Sequence, residues 1–61
     1  MNMQETGTAT FAAVAFGEWF ALAGKYYRKT RYNELIFAHC YGDGTLVVVP
    51  PGTQVIRVSV W

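Results

Sequence analysis

The densest cluster of chemically active side chains lies between residues 25 and 32, where the sequence reads KYYRKTRY. Four of the five basic residues of the chain fall in these eight positions, interleaved with tyrosines. Cationic side chains neutralise phosphates, and each aromatic ring that stacks on a base contributes about 1–3 kcal/mol. The pattern therefore predicts a strand that binds single-stranded nucleic acid. The residues concerned are Lys25, Tyr26, Tyr27, Arg28, Lys29, Arg31 and Tyr32.

The same segment has a structural interpretation. Lys and Arg on an edge strand prevent edge-to-edge aggregation, while tyrosine rings can pack into a core. The formal net charge is only +1, and the sequence contains no RNP-like motif. We therefore favour the structural interpretation and keep nucleic-acid binding as the alternative. Arg and Tyr are also enriched at the centres of protein interfaces, so a protein contact is open as well.

The remaining reactive residues do not predict catalysis. His39 and Cys40 are adjacent, and adjacent residues of a strand point to opposite faces, so they cannot act as a base and its nucleophile. Together with Asp43 they are too few ligands for a zinc site. The glycines at 42 and 44 lack the Lys-Ser/Thr that follows a phosphate-binding loop. We expect no enzymatic activity, no metal and no cofactor.

The elements that position these residues are short strands separated by Gly and Pro. Val, Ile, Phe, Tyr and Thr are enriched in several of these segments, which is typical of half-buried strands. The predicted strands cover residues 25–32, 35–41, 45–49 and 53–61, and another begins near Glu18. Residues 9–23 could also open a helix, but Gly17 in its middle and the Trp19-Phe20 pair favour one helical turn near 11–16.

Three turns join the strands in this interpretation. The Asp43-Gly44 pair predicts a tight hairpin, because such a pair tolerates positive φ. Pro50-Pro51-Gly52 predicts a type II turn, with Pro and Gly at its central positions. A further turn is expected at Asn33-Glu34. The segments therefore form a meander.

Successive side chains of a strand point to opposite faces, so the residues of two predicted strands can be assigned to an inner or an outer face. In the last strand Arg57 and Ser59 do not suit a small core, so the inner residues are Ile56, Val58 and Val60. In the strand at 35–41 the small set Ile36, Ala38 and Cys40 suits the inner face of a curved barrel. The opposite assignment, with Leu35 and Phe37 in the core, is equally open.

Length and composition limit the chain to one small domain. It has 61 residues, of which 52% are hydrophobic and 15% charged, so it is too apolar to stay disordered. A domain of this size buries only about 60% of its unfolded surface, and we expect self-association or a partner to add stability. The predicted fold is all-β, a small five-stranded barrel or strongly bent antiparallel sheet at 11–61, preceded by an irregular arm at 1–10.

A longer pattern runs through most of the chain. It consists of Phe11-x-x-Val14-x-x-Gly17-Glu18-x-Phe20, Gly24, Tyr27-x-Lys29, Ala38, the Gly42/Gly44 turn, Val48, a Pro-Gly turn and Val55-x-x-Val58. This pattern resembles small proteins encoded by bacteriophages and other mobile elements, with departures in the Ala-rich opening and the extra basic residues around Lys29. The resemblance implies a small SH3-like β-barrel of mostly unassigned function.

The favoured hypothesis is a non-enzymatic protein that binds a protein partner or a second copy of itself through an exposed aromatic patch. That patch consists of Phe37, His39, Tyr41, Arg57 and Trp61, although Trp61 could equally close the core. A single cysteine and the absence of Lys or Arg in the first ten residues favour the reducing cytoplasm over secretion. The low-charge stretch from Thr6 to Gly17 is too short to span a bilayer, so no membrane association is expected.

Overall fold

One antiparallel sheet accounts for most of the computed structural model, which describes residues 2–32 and 35–61. Its strands are β1 (Met3–Thr10), β2 (Trp19–Leu22), β3 (Lys25–Tyr32), β4 (Leu35–Cys40), β5 (Leu46–Val47) and β6 (Gln54–Val60). They lie in the order β1-β6-β2-β3-β4-β5, so β1 and β5 are the two edges. The predicted all-β class is confirmed as a bent sheet of six strands that does not close into a barrel.

The turn predictions are confirmed where the structure describes them, with one difference in geometry. β4 and β5 form the expected hairpin, and Gly44 in it has a φ of 74°. The amide of Thr53 donates to the carbonyl of Pro50 at 3.0 Å, which closes the predicted turn. Gly52 does not have the positive φ that a type II turn requires, so the type was wrong. The turn expected at Asn33-Glu34 lies outside the described residues.

The irregular arm predicted for the first ten residues is wrong, because β1 pairs with β6 along its length. A bulge between Glu5 and Gly7 shifts the register once. Most β1 side chains are exposed on both faces, so this strand has no alternation of apolar and polar residues. The ladder of hydrogen bonds to β6 stabilises β1, and no local sequence pattern predicts that pairing.

The region from Phe11 to Phe20 confirms the predicted helical turn followed by a strand. A 3-10 turn covers Phe11–Ala13, and β2 starts at Trp19. Gly17 between them has a φ of 86°, a conformation that would break an α-helix. No helix in the described part of the chain is long enough to cross a membrane.

The core lies on one face of the bent sheet and under the 3-10 turn. Its buried residues are Phe11, Val14, Phe20, Ala38, Val49 and Val55, and Leu22 and Tyr27 pack against them. Of the two assignments left open for β4, the one with Ala38 and Cys40 inside is correct, but Ile36, which belongs to the same set, is exposed. In β6 Val58 is buried as predicted, whereas Ile56 and Val60 are only half-buried and Val55 is buried instead.

The mixed burial of β6 has a physical reason. Val55 packs into the core cluster, while Val58 lies directly opposite Trp19 of β2. Residues three apart in a strand point to opposite faces, so β6 is covered on both faces at different points. The expectation that only one face of β6 is buried therefore holds for only part of the strand.

β3 lies between β2 and β4 and is therefore an interior strand. Basic residues that protect a sheet edge from aggregation belong on an edge strand. That interpretation of the segment 25–32 is wrong for this fold. The positions of its side chains need a different explanation.

The β2–β3 turn holds an alanine in a strained conformation, which leads to a stability prediction. Leu22 pairs with Lys25, and the two residues between them, Ala23 and Gly24, have φ of 52° and 78°. A two-residue hairpin of this kind prefers Asn-Gly, since Asn tolerates positive φ better than Ala. Ala23→Asn should therefore stabilise the fold by about 1 kcal/mol and raise Tm by about 4–8 °C in a thermal melt.

The neighbouring position provides the control for this turn. Gly24→Ala adds a Cβ at a φ of 78° and should lower Tm, although no neighbouring atom would contact that Cβ. An unchanged or lower Tm for Ala23→Asn would mean that the alanine is not strained in this turn.

Candidate functional site

Lys29 of β3 points into the molecule rather than to solvent. Its residue surface is only 5% exposed, and it lies directly opposite Ala38 of β4. The Nζ donates to the carbonyls of Phe11 at 2.9 Å and Val14 at 2.6 Å, and at 3.4 Å to that of Ala12. The same atom lies 4.6 Å from the centre of the Phe11 ring. Lys29 thus links β3 through hydrogen bonds to the 3-10 turn and the loop that follows it.

This arrangement decides what Lys29 can do. Burial lowers the pKa of its amine, and the carboxylate of Glu18 opposes that shift in part. An ammonium has three protons to donate, and three backbone carbonyls accept them here. No donor is left for a phosphate, so the predicted phosphate contact at Lys29 is not supported by its position.

The other residues of the predicted nucleic-acid strand divide between the two faces of the sheet. Tyr27 stacks on Phe20 inside the molecule, with ring centres 5.6 Å apart. Arg31 lies over the ring of Phe16 at 5.9 Å. Lys25, Tyr26 and Arg28 are exposed, and the side chain of Tyr32 lies outside the described residues. The strand therefore does not present all seven residues on one surface.

The outer face of β2, β3 and β4 brings aromatic and basic side chains together. Trp19, Arg28 and His39 lie directly opposite one another on three neighbouring strands, and such neighbours share a face. The Tyr41 ring meets the Trp19 ring edge-on at 5.4 Å, and the amide of Tyr41 donates to the carbonyl of Tyr26. We call this surface the aromatic face: Trp19, Tyr26, Arg28, His39 and Tyr41.

The aromatic face combines residues that the sequence assigned to two separate surfaces. Tyr26 and Arg28 were predicted to bind nucleic acid, and His39 and Tyr41 to bind protein. Trp19 belonged to neither predicted surface. The alternation of β2 could have placed it on the outer face, but only the register between the strands shows which side chains are its neighbours.

A pocket of about 320 Å³ adjoins the aromatic face at the start of β3 and the β4–β5 turn. It is lined by Lys25, Tyr26, Cys40, Tyr41, Gly42 and Asp43, and we call it the tyrosine pocket. Hydrogen bonds from the hydroxyl and amide of Thr45 lower the pKa of Asp43 to about 2. Asp43 is therefore a carboxylate at any physiological pH. The pocket offers two tyrosines, one cation and one anion.

An open groove of about 570 Å³ lies at the end of the molecule formed by the 3-10 turn, β4 and the residues after β5. It is lined by Phe11, Ala12, Phe16, Lys29, Leu35, Ile36, Phe37, Val48, Val49 and Pro51, and we call it the apolar groove. Leu35 is 63% exposed and Val48 75%. Lys29 is its sole charged lining residue in the described part of the chain, and its ammonium is already bonded to carbonyls.

The aromatic patch predicted for protein binding is not one surface. Phe37 lines the apolar groove, while His39 and Tyr41 belong to the aromatic face. Arg57 lies opposite Phe20, donates to the carbonyl of Ala13 at 2.9 Å and approaches Glu18 at 3.6 Å. Trp61, at the end of the chain, is 64% exposed. The core position considered for Trp61 is therefore wrong.

Sequence reasoning missed most of the apolar groove. Phe16, Leu35, Ile36 and Val48 contribute to it from three different segments. One signal was present, since residues 44–52 contain no charged residue and read GTLVVVPPG.

Within the described residues there is no group of three His, Cys, Asp or Glu side chains that could hold a metal. Cys40 is a buried free thiol. Comparison of the chain with protein families, with curated proteins and with solved structures finds no match. Function is therefore inferred from the aromatic face, the tyrosine pocket and the apolar groove.

Proposed function

We propose that this is a non-enzymatic binding protein that assembles with a second copy of itself through the apolar groove and the adjoining edge strand β5. The observation that carries the proposal is the groove itself, in which large apolar side chains such as Leu35 and Val48 are exposed together. A contiguous apolar surface of this kind on a small protein marks an interaction site, because exposing apolar surface to water costs free energy.

The edge of the sheet next to the groove supports a second chain as the occupant. In the described residues β5 pairs only with β4, so its other side offers unpaired backbone groups. Natural edge strands are protected by Lys, Pro or a bulge. The run from Thr45 to Val49 has no Lys and no Pro, and its valines and Leu46 suit a strand.

Charge favours a copy of the same chain over an acidic or basic partner. A two-fold interface is self-complementary and brings the residues next to the axis close to their own counterparts, so a charged residue there would face a like charge. Residues 44–52 carry no charge, and the whole chain has a net charge of only +1. Pairing of two β5 strands about a two-fold axis would extend the sheet and cover both grooves, with no charge contributed by residues 44–52.

The size of the core also favours self-association. Only nine apolar residues of the described chain are buried, and a domain of this length has little stability to spare. A second copy would add apolar burial at the groove. A cytoplasmic location, where the Cys40 thiol stays reduced, and a phage or mobile-element origin belong to the same proposal.

Val48→Lys is the variant that tests this interface. Val48 is exposed in the single chain, so the substitution should leave the fold intact while placing two ammonium groups in the apolar interface. We expect the wild-type protein to elute with a mass near twice 6.8 kDa and the variant near 6.8 kDa. Light scattering after size exclusion measures this, with far-ultraviolet circular dichroism as the check on folding.

Ser59→Lys is the matched control, since it adds the same charge at an exposed position of β6 outside the groove. It should assemble like the wild type. A wild-type protein that stays a single chain at about 100 µM, where specific interfaces are normally occupied, would overturn the proposal. So would a Val48→Lys variant that keeps the doubled mass.

A further inference from the structure

We propose that the aromatic face is a binding site for single-stranded nucleic acid and that the tyrosine pocket takes one unpaired base. None of the residues of this face or pocket lines the apolar groove, so the inference is independent of self-association. The site differs from the one that the sequence suggests, because Lys29 and Tyr27 are inside the molecule. It adds Trp19, His39 and Tyr41 from neighbouring strands.

The stacking surface is the first element of the site. Tyr41 is 58% exposed, and Tyr26 beside it is also exposed. The edge-on contact with Trp19 holds the Tyr41 ring, and the amide of Tyr41 is bonded to the carbonyl of Tyr26 on the central strand β3. Aromatic rings held on a sheet in this way stack on bases of any sequence, because every base has a π-face.

Two cations are placed to contact the backbone of the strand. Arg28 lies between Trp19 and His39 in the row across the sheet, and its Nε donates to the carbonyl of Gly17 at 3.1 Å. That bond orients the guanidinium and leaves its terminal nitrogens for a phosphate. Lys25, three residues earlier, starts β3 on the opposite face and reaches the site only at the end of the strand, where it lines the tyrosine pocket. With two phosphate contacts, the logarithm of the binding constant should fall with the logarithm of salt concentration with a slope of about −1.4.

Asp43 gives the pocket a preference among bases. Its carboxylate accepts hydrogen bonds from Thr45 and has capacity for more acceptor contacts. A carboxylate beside a stacked base favours an exocyclic amino group, as in cytosine, over the carbonyl oxygens of thymine or uracil. The pocket should therefore bind cytosine in preference to thymine.

The test is fluorescence anisotropy of labelled twelve-nucleotide strands, which are oligo-dC, oligo-dT and oligo-rC, with a duplex of the same length. Each is titrated at three salt concentrations with wild-type protein and with the Val48→Lys variant. We expect micromolar binding of oligo-dC with a salt slope of about −1.4, weaker binding of oligo-dT and weakest binding of the duplex. Val48→Lys should bind at least as well as wild type, so loss of assembly does not remove this site.

Two variants with matched controls complete the test. Tyr41→Ala should weaken oligo-dC binding about tenfold or more, whereas Phe16→Ala, an exposed aromatic residue of the groove, should have no effect. Arg28→Gln should reduce the salt slope to about −0.7, whereas Arg57→Gln, which removes the same charge elsewhere, should leave it unchanged. Comparable binding of oligo-rC assigns the site to both nucleic acids, and a difference assigns it to the tighter one.

Several results would overturn the inference. Oligo-dC that does not bind at low salt would exclude the site. Equal losses for Tyr41→Ala and Phe16→Ala would mean that the aromatic face is not the contact surface. Equal changes of slope for the two arginine variants would indicate general charge attraction, and tighter binding of oligo-dT would contradict the role of Asp43.

Discussion

Lys29→Met should remove most of the stability of this protein. A folded domain has about 0.05–0.15 kcal/mol of stability per residue, which is about 3–9 kcal/mol for 61 residues. Methionine retains the apolar stem of lysine but donates no hydrogen bond. The buried bonds from Lys29 to the carbonyls of Phe11 and Val14 are then lost, and the Phe11 carbonyl keeps only the bond from the Val14 amide.

The expected loss is about 3–5 kcal/mol, since two buried bonds from a charged donor are removed and each such bond contributes about 1.5–3 kcal/mol. Urea denaturation followed by circular dichroism measures it. The substitution is best made in the Val48→Lys background, so that the free energy of unfolding refers to a single chain and does not depend on protein concentration.

Lys25→Met is the matched control. It removes the same charge from the same strand, but Lys25 is exposed, so stability should change by no more than about 0.5 kcal/mol. If Lys29→Met were as stable as Lys25→Met, water would be satisfying the carbonyls of the 3-10 turn and the structural role assigned to Lys29 would be wrong.

Phe20→Ala should have a similarly large effect through packing alone. Phe20 has no exposed surface, and its ring stacks on Tyr27 and meets Phe11 edge-on at 5.4 Å. Removing a buried phenyl ring costs about 3–5 kcal/mol, which combines lost burial with the cavity that remains. In the same Val48→Lys background, the variant should be largely unfolded or melt far below its parent.

Two further variants keep this prediction informative if Phe20→Ala does not fold. Phe20→Leu retains most of the volume and should lose only about 1.5 kcal/mol, so it remains measurable. Phe16→Ala makes the same truncation at a half-exposed ring and should cost about 1 kcal/mol or less. Equal losses at positions 16 and 20 would contradict the assignment of Phe20 to the centre of the core.

Local features of this fold can be predicted from the sequence, whereas long-range pairing cannot. The hairpin at Asp43-Gly44 and the 3-10 turn before β2 depend on residues close in the chain, and both were predicted. Alternation within β4 left two possible inner faces, and the structure shows that the one with Ala38 and Cys40 is buried. β1 was missed because its side chains are exposed on both faces, so its conformation depends on pairing with residues some fifty positions away.

The candidate surfaces follow the same division. The interleaved aromatic and basic residues in 25–32 and the absence of charge in 44–52 are properties of the chain, so both can be read without a structure. Folding of the whole chain places Lys29 among carbonyls of the 3-10 turn and its C-cap, while Arg28 lies outside beside Trp19 and His39. The physical reason is that neighbouring residues of a strand face opposite ways, and the environment of each face is made by strands distant in sequence.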